Sequence, residues 1–154
     1  MTTITIENQY SLTPANLVEL LEQAALVALK HQAAPEDAEL TIVLTDDDQL
    51  QALNRDYLET DSPTDVLSFP SGETDPETGS PYLGDILLSM PRAASQAENA
   101  GHNLEAEAQL LVVHGILHLM GHDHAEAEEK ERMWQAQAEI LTQLGLVDIQ
   151  IRES

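Results

Sequence analysis

Residues 110–121, LLVVHGILHLMG, constrain the fold more than any other stretch. Leu110, Leu111, Val112, Val113, Ile116, Leu117, Leu119 and Met120 make a helix here apolar nearly all round, so other elements must cover it on several sides. Two histidines are embedded in it. His114 and His118 are four apart, so both side chains leave one face, one turn apart. Burying an imidazole without a partner costs about 1–3 kcal/mol. Gly121 lets the chain leave the helix in a left-handed conformation and double back, bringing His124 towards the same point. Three imidazoles can then surround one ion, at about 2.0–2.1 Å for zinc. The alternative is a set of core or surface histidines hydrogen-bonded to carboxylates, of which the chain has many. Two histidines on a buried helix with a third beyond a glycine turn favour the metal. His122 is the least secure member of the cluster, and His31 and His102 are expected at the surface. Asp123 either orients a metal-bound ring or is simply solvated.

Three neutral imidazoles with no protein anion describe a catalytic zinc site rather than a structural one, which would fill all four positions with protein. One zinc per chain is expected, and the spacing does not exclude Ni, Fe or Co. Such an ion lowers the pKa of a coordinated water to about 7, so the reaction class is metal-assisted hydrolysis.

The chain has 154 residues, enough for one domain over residues 1–154 with a real core and no disulfides. It has no cysteine, which excludes Cys-ligated zinc and thiol catalysis. Six Lys and Arg against 28 Asp and Glu give a formal charge of −22. That balance argues against gripping nucleic acid by broad electrostatics, and against anionic membranes. No signal peptide or spanning segment is visible, so a cytoplasmic protein is expected.

Alternation in TTITIE predicts a strand over about 2–7. Thr13-Pro14 predicts the start of a helix running to His31. ELTIVLT, 39–45, is a second strand, and Thr45 or Asp46 caps a short acidic helix. The run Asp46-Asp47-Asp48 suits a helix N-terminus better than a metal. DVLSF, 65–69, is a third strand closed by Pro70, followed by a long loop over 71–82. LGDILLS, 83–89, is a fourth. Helices follow from Pro91 to Gly101, from about Asn103 to Met120, and over about 125–144, with Met133, Ala136, Ile140, Leu141 and Leu144 inward. This order predicts an α+β domain, a small four-stranded sheet packed with helices.

The histidine intervals and the glycine match HExxHxxGxxH, the metzincin protease signature. That motif places a Glu general base directly after the first His; here the position is Gly115, so the peptidase machinery is incomplete. A closer likeness lies in three runs: LNRDYLETDSPTDVLSFP (53–70), LGDILLS (83–89) and HGILHLMGHDH (114–124). In order and spacing, over about residues 40–145, these resemble the YbeY family of bacterial endoribonucleases. The resemblance implies a zincin-like α+β fold with a mixed sheet and the His-bearing helix at the metal site. It also implies a zinc-dependent, single-strand-specific endoribonuclease of the cytoplasm, acting in 16S rRNA 3′-end maturation and ribosome quality control. The family's zinc ligands fall on His114, His118 and His124, while His122 stands where relatives often carry Tyr.

One position departs from the family pattern: Leu58 stands where an Arg implicated in activity is common. Arg55, three residues earlier, is a weak candidate to stand in for it, and an ordinary surface Arg is the bland alternative. Asp85 is a weak candidate to orient a histidine or accept a proton. Gly84-Asp85 otherwise reads as a bulge or a close backbone approach. The six cations, Lys30, Arg55, Arg92, Lys130, Arg132 and Arg152, form no basic stripe. The resemblance implies single-stranded RNA and rRNA as partners; because the cations form no stripe, a ribosomal or nuclease protein is expected to supply part of the RNA grip, and neither DNA nor membrane is expected. Two other functions stay open: a zinc metallopeptidase, and a non-catalytic, metal-stabilised ribosome-assembly factor.

Overall fold

The computed structural model describes residues 2–10, 13–58, 65–74, 76–122 and 126–146. Four strands, β1 (Thr3–Asn8), β2 (Glu39–Thr45), β3 (Val66–Thr74) and β4 (Pro81–Ser89), form one sheet in the order β1-β2-β4-β3. β1, β2 and β4 are parallel, and β3 runs antiparallel to β4 at the edge. The fold is therefore α+β with a small mixed four-stranded sheet. Five helices complete it: α1 (Leu17–His31), α2 (Asp47–Leu58), α3 (Met90–Ala100), α4 (Leu104–Leu119) and α5 (Ala127–Gln143).

The two faces of the sheet follow from strand alternation. Leu40, Ile42 and Leu44 of β2 and Ile86 and Leu88 of β4 point one way, into the main core with α1, α4 and α5. Val43, Leu87 and Leu67 point the other way and meet Leu50 and Leu53 of α2. The apolar helix sits where its composition requires. α4 packs against α1, α3, α5, β3 and β4, and every residue from Ala106 to Val113 is buried.

Two boundaries differ from the sequence expectation, each for a local reason. α1 begins at Leu17, not after Thr13-Pro14. The Thr13 hydroxyl is engaged by Asn8 and Tyr10 at the end of β1, and a turn closed by Leu17 N–H on the Pro14 carbonyl precedes the helix. β3 does not stop at Pro70 but continues to Thr74, so the expected long loop shortens into a hairpin. Pro70 is tolerated because β3 is an edge strand, where a missing N–H can face away from the ladder. The register shifts between Pro70 and Glu73, where Gly72 takes a positive φ of 69°. A second irregularity lies between Glu39 and Leu40 opposite Tyr82 and Gly84. There Gly84 is required: a Cβ would lie 2.2 Å from the Phe69 carbonyl oxygen. The bulge and close approach expected at Gly84 are both present.

The acidic run at the start of α2 has the expected helix-terminus role. Asp46 accepts from Gln49 N–H at 2.8 Å, and Asp47 takes both Arg92 Nε (2.8 Å) and Arg92 Nη2 (3.1 Å). That guanidinium holds the Asp47 carboxyl below the usual carboxylate range, against the opposing effect of burial.

Candidate metal centre

α4 owes its start to Asn103, whose side chain accepts from Ala106 N–H at 2.8 Å. Its end is a Schellman reversal: Gly121 N–H reaches the His118 carbonyl at 3.1 Å and His122 N–H reaches the Leu117 carbonyl at 2.9 Å. Gly121 takes φ 98°, a value that a side chain would disfavour. The glycine turn expected from the sequence is thus in place directly after the two histidines.

His114 and His118 converge. Their Nε2 atoms are 3.1 Å apart, with the rings edge to face at 74°. Tetrahedral zinc with bonds of about 2.0–2.1 Å holds its ligand atoms about 3.3 Å apart, so this pair has the spacing of two ligands on one ion. Two imidazole lone pairs facing each other at this distance repel unless a proton or a cation lies between them. α5 backs the pair. Gln137 Oε1 lies 3.1 Å from His114 Nδ1, and Trp134 packs edge-on against the His114 ring, centroids 6.2 Å apart. The Lys130 ammonium lies 5.8 Å from the Trp134 ring centre. Among the described residues, no group of three His, Asp or Glu side chains is placed to hold an ion. His124, the third ligand expected from the sequence, lies outside the described residues, as do Asp123 and the side chain of Leu58. The donor set that is described, two imidazoles on a buried helix, fits a borderline cation such as zinc.

The other histidines have different partners. His122 Nε2 donates to Gln32 Oε1 at 2.8 Å, Gln32 Nε2 donates to His31 Nδ1 at 2.9 Å, and His31 Nε2 faces Glu139 Oε1 at 3.2 Å. This chain of contacts links His122 to the end of α1. Burial, with Arg132 and His31 nearby, pushes its pKa down. His31 and His102 were expected at the surface; both are mostly buried and bonded to carboxylates, His102 to Glu107 of α4.

The structure does not bring the weak candidates Asp85 and Arg55 to the histidine pair. Ile86 faces α4, so Asp85, its neighbour on β4, points to the opposite face of the sheet. There it accepts from Tyr82 O–H at 2.5 Å, and Tyr82 also bonds Thr41 at 2.7 Å. Burial and the Asp85 hydrogen bond raise the Tyr82 pKa to about 12. Arg55 lies on α2, which packs on that same far face, and its exposed guanidinium contacts Asp56.

Gly115 has a structural reason. A Cβ there would lie 2.9 Å from Ile86 Cγ2 and 3.2 Å from Ser68 Oγ, so the helix rides directly on β3 and β4. A Glu at this position, as in the metzincins, would drive into the sheet. The sequence reading missed Gln137 and Trp134. Their signal was a polar residue on the otherwise apolar inward stripe of α5, three residues after the chain's single Trp.

A family model for Endoribonuclease YbeY matches residues 3–145. The chain belongs to the YbeY family. Endoribonuclease YbeY of Halalkalibacterium halodurans is 43% identical over 136 residues, covering 83% of this chain and 84% of that protein. Endoribonuclease YbeY of Geobacillus thermodenitrificans is 42% identical over 139 residues, covering 86% and 89%. The solution structure of TM1509 from Thermotoga maritima superposes with a TM-score of 0.57 at 27% identity, over 91% of this chain and 90% of that one. The YbeY match therefore spans the sheet, the histidine helix and α5 together.

Proposed function

We propose that this YbeY family member is a zinc-dependent, single-strand-specific endoribonuclease that acts in 16S rRNA 3′-end maturation and ribosome quality control in the cytoplasm. The observation that carries the metal part is the 3.1 Å approach of the His114 and His118 Nε2 atoms on a buried helix that ends in a glycine reversal. His124 follows that reversal and completes the proposed ligand set. The RNA part rests on the family match. No helix among the described residues is long and apolar enough to cross a membrane.

When bound, the ion supplies Lewis-acid polarisation of the phosphodiester and a nucleophile at neutral pH. The protein's own contribution is positional. α4 and α5 hold the two rings in a mostly buried setting, and Gly115 lets that helix lie against the sheet. Gly115 offers no side-chain proton acceptor, and Asp85 lies on the opposite face of the sheet.

The acidic surface shapes the expected RNA affinity. Arg92 is engaged by Asp47 and Arg55 by Asp56, so few cations remain for phosphates. Intrinsic binding should be weak and fall only shallowly with salt, because few counterions are released. A ribosomal or nuclease protein partner supplies the remaining grip. A steep salt slope would contradict this account.

The deciding experiment incubates zinc-loaded protein, and its His114→Ala variant, with single-stranded RNA, duplex RNA and casein. Cleavage of single-stranded RNA alone, lost in the variant, is expected. Casein cleavage would favour a metallopeptidase, which Gly115 disfavours. Tight zinc without turnover would leave a metal-stabilised ribosome-assembly factor. Product ends give the reaction path: a 2′,3′-cyclic phosphate means that the ribose hydroxyl attacked.

A further inference from the structure

We propose that Gln137 is a positioning residue that fixes the tautomer of His114 and thereby sets the affinity of the site for its ion. Gln137 is fully buried on the inward face of α5. Its Oε1 lies 3.1 Å from His114 Nδ1, and its Nε2 has no hydrogen-bond partner among the described residues. A carbonyl oxygen only accepts, so this contact requires the proton of a neutral His114 to sit on Nδ1. The lone pair then falls on Nε2, the atom that faces His118. The reverse amide orientation would give Nδ1 a donor and move the proton to Nε2. A cation could then enter only by displacing it.

The orphaned Nε2 strengthens the inference. A buried amide donor without a partner is destabilising. A leucine or methionine of similar size would avoid that cost on an otherwise apolar stripe made by Met133, Ala136, Ile140 and Leu141. The residue is therefore poor core material, and its one engaged atom touches a proposed ligand. Metal-bound histidines usually donate their second N–H to such an acceptor, and losing it weakens metal binding by about 10–100-fold.

The proposal rests on the metal-centre reading, and two measurements separate them. The first is zinc affinity by chelator competition, with thermal unfolding of the metal-free chains alongside. Gln137→Leu should bind zinc about 10–100-fold more weakly while its metal-free form is as stable as the parent or more so. Gln137→Glu keeps the acceptor and should hold affinity near the parent. Equal affinity in the Leu variant would overturn the proposal. If that variant does not fold, Gln137→Met carries the same comparison. The second is nitrogen-15 NMR of the metal-free parent, where His114 should appear as the Nδ1–H tautomer. An Nε2–H form would overturn the proposal. A parent that binds no zinc would sink the metal reading, and the NMR result would still judge Gln137.

Discussion

Strand β4 sends Asp85 to one face of the sheet and Ile86 to the other, and the two faces handle polar groups differently. On the α2 face, the polar side chains close on one another: Tyr82 donates to Asp85 and bonds Thr41. On the α4 face the Nε2 atoms of His114 and His118 point at each other, and Gln137 meets the outer nitrogen of His114. A closed cluster contributes stability and needs nothing from outside. Two imidazoles whose Nε2 atoms lie 3.1 Å apart have the spacing of two ligands on one ion. Polar side chains are thus structural on one face of the sheet and candidates for function on the other.

The sharpest way to break this contrast is His118→Ala. Single-stranded RNA cleavage should fall by more than about 100-fold and bound zinc should drop below one per chain, read by cleavage assay and metal analysis. Stoichiometric zinc in that variant would remove His118 from the ligand set.

Gly84→Ala should follow in size, and it acts on the fold. It adds a Cβ against the Phe69 carbonyl at a positive φ of 144°, so a loss of about 3 kcal/mol is expected in denaturant unfolding.

Gly115→Ala tests the seat of α4 more gently. Helix propensity gains about 1 kcal/mol, but crowding against Ile86 costs about 1–3 kcal/mol, so a net loss near 1 kcal/mol is expected. In an Ile86→Ala background that loss should shrink or reverse, as a double-mutant cycle would reveal.

Asp47→Ala removes the Arg92 and Ser89 contacts on the α2 side and should cost about 1 kcal/mol at pH 7. The sign of its pH dependence follows from the lowered pKa of Asp47. The stabilisation is fully present above the ordinary Asp value of about 3.9 and is lost as pH falls through the folded value. Parent and variant should therefore converge in stability in acid, read by unfolding at several pH values.

Asp85→Asn should have the smallest effect on function, leaving zinc affinity and cleavage within about twofold. Its signature is elsewhere: without the carboxylate, Tyr82 should ionise below its present value of about 12, read by ultraviolet titration. A large loss of cleavage would bring Asp85 back towards the site.

Some of this was legible in the residues alone. The all-round apolar pattern of 110–120 dictated a buried central helix, and the i, i+4 spacing dictated that His114 and His118 share a face, because helix geometry is local. The glycine reversal at Gly121 was readable for the same reason. Tertiary structure alone decided the rest. Pro70 signals a strand end unless the strand lies at an edge, and edge position is a property of the whole sheet. Asp85 and the histidines both fall in runs that resemble the family, yet strand parity and the seating of α4 put the sheet between them. Gln137 reaches His114 across 23 residues of sequence, through the packing of α5 on α4. Local periodicity sets which face a side chain leaves from; only the packing of elements sets what it meets there.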